Sequence, residues 1–273
     1  MKIRDQAVLI ANYPASQSSC VLHLLTRDHG VVHLFARGFR RISGKIGFQG
    51  SGDCLTLGEV VYRPASTEPT AEGLGQLLAQ EWTEELRPEN GHTLAALARR
   101  TLAAEAIDSL LGAGQVETEV FELLVDYLRE INSPRPARRL AHVLLRLLTL
   151  SGHRPELQRS VLGGQKMPDG PYHAAYSFEL GGIITREERS DAKLLGPFWD
   201  LPSGIARVAD RFARQNLEAG ASLEFPADAD QTLLDFAIVL AEAAAERTFK
   251  SARVLRQRRS PFPLRTWHMA SRA

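Results

Sequence analysis

The sequence predicts an α+β fold in which a small closed β-barrel precedes a helical domain. Three patterns support this prediction. Short apolar stretches separated by turn residues fill the first 80 residues, apolar residues then recur at three- and four-residue spacing, and a glycine-rich stretch interrupts the helical part. With 273 residues, of which 44% are hydrophobic, the chain is long enough to form two domains.

The N-terminal 80 residues contain candidate strands at 6–10, 20–26 and 31–36, and residues 53–63 form one long strand or two short ones. Gly30 ends a turn after residue 26 and can adopt a positive φ, so the second and third strands should form a hairpin. Five short strands cannot cover a large sheet. They suit a closed barrel, which leaves no strand edge unpaired.

From Leu77 onward the apolar spacing is that of helices. Thr93 can cap a helix that ends near residue 112. Further helices are predicted at 116–131, around 140–148, weakly at 204–218, and at 230–247. The predicted organisation is a barrel at 1–80, a helical domain at 81–152 and 191–250, an insert at 153–190, and a basic C-terminal tail at 251–273.

Several functional classes are excluded by what the sequence lacks. It has no HExxH, Walker A, GxGxxG or GxSxG pattern, so we expect a non-enzymatic protein with no catalytic residue, cofactor or metal. Without a signal peptide or an apolar membrane span, we expect a cytoplasmic location and no membrane contact. Cys20 and Cys54 are predicted to be small buried side chains, with a disulfide between them as the alternative.

A basic stretch free of acidic residues runs from His29 to Gly52. Its cations can close phosphate contacts, and an exposed ring among them can stack on bases. The predicted DNA-binding residues here are Arg37, Phe39, Arg40, Arg41 and Lys45. The alternative is a solvated loop whose phenylalanines tuck into the barrel, and this alternative is favoured for Phe35 and Phe48.

Two further basic clusters lie in the C-terminal half. No acidic residue follows Glu246, and Arg253 and Arg256 in this tail are predicted to contact DNA, although some of its cations would simply offset a helix dipole. On the third helix, three arginines can share one face with His142 and could bind an acidic partner; a solvated helix face is the alternative. They are Arg135, Arg138 and Arg139.

The chain resembles the RecO family of bacterial recombination mediators in five segments: 7–10, 24–30 with its His-Gly turn, 36–41, which reads Ala-Arg-Gly-Phe-Arg-Arg, 148–155, and 246–255 near the C-terminus. The resemblance implies an N-terminal OB-fold, a helical domain and an inserted zinc module. It also implies binding of single- and double-stranded DNA, strand annealing, and help in loading RecA onto SSB-coated DNA in the RecF pathway. RecR and the acidic C-terminal tail of SSB are the implied direct partners, RecA and RecF the indirect ones, and the nucleoid the implied location.

The insert departs from the family pattern of two Cys-x-x-Cys pairs. Ser160 and Gly163 stand at the first pair, and Thr185 and Glu188 at the second. Because these residues cannot form a thiolate site, we expect a degenerate zinc-finger-like module without metal. His153 and His173 are not expected to serve as ligands.

Two functions remain open from the sequence. The first is a DNA repair and recombination mediator that acts stoichiometrically through its arginines. The alternative is a non-enzymatic OB-fold scaffold or regulator that binds duplex DNA or RNA. Indifference to the SSB tail would favour the alternative.

Overall fold

The computed structural model describes residues 1–39, 54–65, 73–86, 93–112, 115–130, 133–168, 170–191, 198–221, 226 and 229–257. The barrel strands are β1 (Ile3–Pro14), β2 (Cys20–Thr26), β3 (Gly30–Ala36), β4 (Thr56–Arg63) and β5 (Gly75–Glu85). They close in the order β1-β2-β3-β5-β4, with a parallel β3–β5 pair and antiparallel pairs elsewhere. The predicted OB-like barrel is confirmed.

The fifth strand corrects the prediction that helical spacing begins at Leu77. Along β5, buried Leu77 is followed by positions that are half-buried or exposed, and several of them are acidic or amide side chains. The strand extends to Glu85, so the expected barrel boundary at residue 80 falls inside it. A strand with one face exposed to solvent needs few apolar residues, so the apolar pattern of the sequence did not indicate this strand.

The hairpin between β2 and β3 turns at Gly30, which has a φ of +68°. Asp5 on β1 supports this turn, because its Oδ2 accepts the backbone N–H of Asp28 (3.2 Å) and lies 2.7 Å from Nδ1 of His29. A Cβ at Gly30 would overlap the carbonyl oxygen of Gln115, which precedes the second helix. The hairpin tip therefore rests directly on the backbone of the helical domain.

The helical domain contains α1 (Leu94–Leu110), α2 (Thr118–Arg129), α3 (Pro136–Leu150), α5 (Ser203–Arg214), α6 (Leu217–Ala221), α7 (Ala229–Ala244) and α8 (Lys250–Gln257). Thr93 caps α1 as predicted, its side chain accepting the N–H of Ala96 at 3.2 Å. Helix α3 packs against α1, α2, α5, α6 and α7, so most of its surface is apolar and buried. The predicted weak helix at 204–218 is two short helices.

The insert between α3 and α5 contains β6 (His173–Ser177), β7 (Gly182–Ile184), β8 (Phe198–Pro202) and α4 (Arg186–Asp191). The strands form a sheet in the order β7-β6-β8. Strands β6 and β7 form an antiparallel hairpin, whereas β8 lies in the range 191–250, which we expected to be helical. Tyr176 anchors the sheet, since its ring packs edge-on against Phe236 of α7 with centroids 5.3 Å apart.

One apolar core joins the barrel to the helices. Val8, Ile10, Leu25, Val31 and Leu57 project from the barrel and are at most 4% exposed in a cluster that also holds the cores of α1, α2, α3 and α7. A second cluster fills the barrel interior. The helices therefore cover one outer face of the barrel, and only the remaining outer surface is open to a ligand.

The cysteines form no disulfide; Cys20 lies in the barrel core and Cys54 is half-buried. Burial raises the pKa of the Cys54 thiol. Among the helices of the described ranges, none combines the length and the apolar character needed to cross a membrane.

Replacing Gly30 with alanine should destabilise the protein. A non-glycine residue in the left-handed region costs about 1–3 kcal/mol, to which the overlap with the Gln115 carbonyl adds. Gly112→Ala is the matched control, because a Cβ there meets no atom within 4 Å. Urea denaturation measures both variants, and equal free energies of unfolding would contradict this account of the hairpin tip.

Candidate nucleic-acid interface

Five side chains form a continuous row across the part of the barrel's outer surface that the described helices leave uncovered. Tyr13 pairs with Val21, Val21 with Phe35, Phe35 with Gln76, and Gln76 with Arg63 in the strand registers. Directly paired residues project from the same face of a sheet. We call Tyr13, Val21, Phe35, Gln76 and Arg63 the outer row.

The outer row combines an apolar end with a polar end. Tyr13 is 46% exposed as a residue, Val21 and Phe35 are half-buried, and Gln76 and Arg63 are exposed. Rings on which bases can stack, next to cations that can meet phosphates, are the two components of single-strand binding surfaces. The row therefore has the chemistry of a nucleic-acid interface.

Arg37 adds a second exposed cation near the row. It follows β3 by one residue, ahead of Gly38, whose φ is +73°. Phe35 and Arg63 both pair with Gln76, so the ends of β3 and β4 lie on either side of the start of β5. Arg37 and Arg63 therefore lie at the same end of the barrel, and we call this place the seam. The predicted contacts Arg40, Arg41 and Lys45 lie outside the described residues.

Phe39 does not match its predicted role. Its side chain is 1% exposed and belongs to the barrel core, where no base can reach the ring. The alternative of a phenylalanine tucked into the barrel holds for Phe39, whereas Phe35, for which it was favoured, faces outward. Sequence reasoning missed Tyr13, because simple alternation from Ala7 and Leu9 would turn it inward. The irregularity between Leu9 and Ala11 reverses the facing of the residues that follow.

Among the described residues of the barrel, the acidic side chains of β4 and β5 lie away from the ends of the strands that carry Arg37 and Arg63. Glu59 pairs with Glu81, and Glu84 and Glu85 lie opposite the first residues of β4. Two of these carboxylates accept hydrogen bonds from arginines. Arg4 Nε donates to Glu59 at 2.9 Å, and Arg129 Nη2 donates to Glu84 at 2.7 Å. The charge separation favours approach of a polyanion at the Arg37–Arg63 end.

The two predicted contacts in the C-terminal tail differ in their environments. Glu105 of α1 caps helix α8, accepting the N–H groups of Lys250 (2.9 Å) and Ser251 (3.0 Å). Arg256 forms an ion pair with Glu242 of α7 at 2.8 Å and is 20% exposed, so its charge mainly holds α8 in place. Arg253 remains exposed on the same helix.

The three arginines of α3 do not form the exposed basic face that the spacing suggested. Arg135 Nε donates to Asp230 at 2.7 Å, and Arg139 pairs with Glu130 and donates to the Leu217 carbonyl at 2.7 Å. Arg138 is 8% exposed, and burial, followed by the charge of Arg135, lowers its pKa. The solvated-face alternative is wrong for the same reason, since α7 and α6 cover this side of the helix.

His142 shares that covered side. It stacks on Phe212 with centroids 4.2 Å apart, and its Nε2 lies 2.9 Å from the Gln215 carbonyl. Burial lowers the pKa of His142 to about 4, so the ring is neutral at physiological pH. This face of α3 is therefore interior, and only its N-terminal end reaches solvent.

At that end of α3, a groove of about 520 Å³ opens between four helices. Its walls are mainly apolar, with cations at Arg99 and Arg135 and one carboxylate at Asp230. The remaining lining residues are Ala95, Pro134, Pro136, Ala137, Gln231, Leu234 and Leu255. An apolar peptide segment carrying negative charges matches this lining.

The domain arrangement agrees with comparisons to known proteins. The model for the N-terminal domain of recombination protein O matches residues 1–81, and the model for its C-terminal domain matches residues 91–252. The chain belongs to the RecO family. This is a family of DNA repair and recombination proteins.

Individual RecO proteins are similar to the chain over most of its length. The DNA repair protein RecO of Gloeobacter violaceus is 26% identical over 236 residues, which cover 84% of this chain and 78% of that protein. RecO of Cutibacterium acnes is 29% identical over 66% of this chain and 72% of its own length. RecO of Bacillus pumilus is 25% identical over 67% of both chains.

The four insert positions at which the family pattern has cysteine lie together, around the carboxylate of Glu188. Ser160 donates to Glu188 Oε2 at 2.6 Å, and the Thr185 N–H donates to the same oxygen at 2.8 Å. At Gly163, an added Cβ would contact Glu188. Burial opposes ionisation of Glu188, but hydrogen bonds from Ser160, Thr185 and Gly163 outweigh it and lower the pKa. A hydrogen-bonded carboxylate thus links the two halves of the insert.

Ser160→Ala should destabilise the protein by about 1.5–3 kcal/mol, because it removes a hydrogen bond to a charged group from a side chain that is 2% exposed. Thermal unfolding measures this loss, with Ser18→Ala in the loop after β1 as the control. Metal analysis of the same samples should give equal zinc content for wild type and Ser160→Ala. Zinc that is lost only in Ser160→Ala would show that the insert binds metal after all.

Proposed function

We propose that the protein is a non-enzymatic recombination mediator that binds single- and double-stranded DNA along the outer row and anneals complementary strands. The observation that carries this proposal is the outer row itself, which presents Tyr13 and Phe35 beside the cations Arg37 and Arg63. Family membership supports the same function.

The proposed mechanism is electrostatic and stoichiometric. Arginines at the seam neutralise phosphates of a bound strand, which reduces its repulsion of the complementary strand. The rings hold bases by stacking without reading their sequence, since every base has a stacking face. Two strands held on one protein pair as if they were part of one molecule, because their effective concentration is high. Arg253 on α8 and the cations at 40, 41 and 45 would extend the phosphate contacts.

We also propose that the groove between α1, α3, α7 and α8 binds the acidic C-terminal tail of SSB. Apolar side chains of the tail would contact Leu234, Leu255 and Pro136, and its carboxylates would face Arg99 and Arg135. In this proposal, the helical domain would serve the loading of recombinase onto SSB-coated DNA, and the barrel would hold the strands. RecR, and indirectly RecA and RecF, are partners implied by the family resemblance.

Changing Tyr13 and Phe35 together to alanine should weaken binding of single-stranded DNA at least tenfold, since each stacked base contributes about 1–3 kcal/mol. Fluorescence anisotropy with a labelled oligonucleotide measures the affinity, and a strand-annealing assay measures the function. Thr83→Ala, an exposed site at the far end of β5, is the control. The salt dependence of binding should be weaker in the double variant Arg37→Glu with Arg63→Glu. It should persist in the variant in which Tyr13 and Phe35 are alanine. Unchanged affinity in the ring variant would refute the outer row as the interface.

Arg99→Glu should weaken binding of an SSB-tail peptide about tenfold, a loss of about 1.4 kcal/mol. Isothermal titration with the peptide measures the effect, and an amidated peptide without negative charge should bind weakly to both proteins. Arg159→Glu, an exposed arginine of the insert, is the matched control. Equal binding by Arg99→Glu and wild type would remove the groove as the site. No binding by wild type, together with tight duplex or RNA binding, would favour the scaffold or regulator.

A further inference from the structure

Where the barrel meets α1, two histidines and an aspartate converge from three elements. His23 on β2 and His33 on β3 are directly paired in the hairpin register, and their rings stack with centroids 3.8 Å apart. Asp108 on α1 lies over them, with its Oδ1 at 2.7 Å from His23 Nδ1 and 3.9 Å from His33 Nε2. Neither histidine belongs to the outer row or the groove.

The side chains of the cluster are mostly buried, and one ring nitrogen in it makes no hydrogen bond to the described residues. The side chains of Asp108 and His23 are 12% and 19% exposed. Among the described residues, His33 Nε2 has no hydrogen-bond partner, and this atom is inaccessible to solvent. Burial, followed by the charge of His23, lowers the pKa of His33.

We propose that His23, His33 and Asp108 bind a divalent transition-metal ion of the zinc class and that this ion clips the β2–β3 hairpin to α1. Two imidazole nitrogens and one carboxylate oxygen form a donor set that suits Zn²⁺, with a water in the fourth position. The three ligand atoms all lie within 4.8 Å of one another. Within the described part of the chain, this is the one group of three or more such side chains that meets this distance.

The ligand atoms are close together, but the rings must turn before both nitrogens can point at one ion, because the rings now stack with their planes 24° apart. With bonds of about 2.1 Å, the ligand atoms of a tetrahedral site lie about 3.4 Å apart. The 2.7 Å separation between His23 and Asp108 would widen, and the 3.9 Å separation between His33 and Asp108 would close. Rotation of the two half-buried imidazoles about their side-chain bonds can produce both shifts, because the backbone positions are already set by the hairpin and α1.

The site is distinct from the insert and independent of the proposed DNA binding. The His23 ring lies 4.9 Å from that of Tyr13, so a bound ion would hold α1 beside the outer row. The ordinary alternative is a histidine–aspartate hydrogen bond with a second ring stacked on it and no ion. The two differ in whether added metal stabilises the protein.

The test uses the full-length protein after treatment with EDTA, and it measures the rise in melting temperature and the visible absorption on addition of Zn²⁺ or Co²⁺. Wild type should bind one equivalent, melt several degrees higher, and give the absorption of tetrahedral Co²⁺ that Zn²⁺ abolishes. His33→Gln and Asp108→Asn should each lower the affinity at least tenfold. For each variant, the melting temperature with metal is compared with the melting temperature of the same variant without metal. A variant that is simply less stable therefore does not imitate the loss of a metal site.

His29→Gln is the matched control, because His29 forms a second histidine–aspartate pair in the same hairpin, 2.7 Å from Asp5. It should keep the full metal response, as should Ser160→Ala in the insert. A metal response in His33→Gln or Asp108→Asn equal to that of wild type would overturn the proposal. So would a wild-type protein that Zn²⁺ does not stabilise and that gives no tetrahedral Co²⁺ spectrum.

Discussion

The apolar contact between the outside of the barrel and the helices is the constraint on which the other features depend. Val8, Leu25 and Val31 point away from the barrel interior and would face water if the barrel stood alone. Burying such side chains contributes about 1.5–3 kcal/mol each, which makes the helical domain a required cover. The outer row, at the opposite end of the same strands, is the surface that remains. The position of the nucleic-acid interface is therefore a consequence of how the two domains pack.

Among the described arginines, two sets differ in their role although local sequence does not distinguish them. Arg135, Arg138 and Arg256 lie opposite carboxylates of α7 and hold helices together. Arg37 and Arg63 are exposed on the barrel, where an anion can reach them. Arg135 pairs with Asp230, which is 95 residues away in the sequence, so only the tertiary structure shows that this charge already has a carboxylate partner.

The sequence predicted the elements whose signals are local. The β2–β3 hairpin, the Thr93 cap and the amphipathic α2 follow from turn residues, capping chemistry and apolar spacing. Strand β5 was missed because its outward positions carry Glu81, Glu84 and Glu85, which obscure the alternation. Phe39 was assigned to the surface because its neighbours are basic, although a phenylalanine after a strand can as readily close the end of a barrel. The pairing of His23 with His33 could have been counted from the hairpin turn, but the approach of Asp108 could not.

The hairpin tip has a consequence for how the two domains can be combined. In sequence the barrel and the helical domain are matched by separate family models, as if each were a module. In three dimensions Gly30 rests on the backbone at Gln115, where there is no room for a side chain. A barrel transplanted from a relative would need both a glycine at this tip and a connection between α1 and α2 that follows the same path. The two halves are thus matched parts, and exchanging one without the other would break the joint between them.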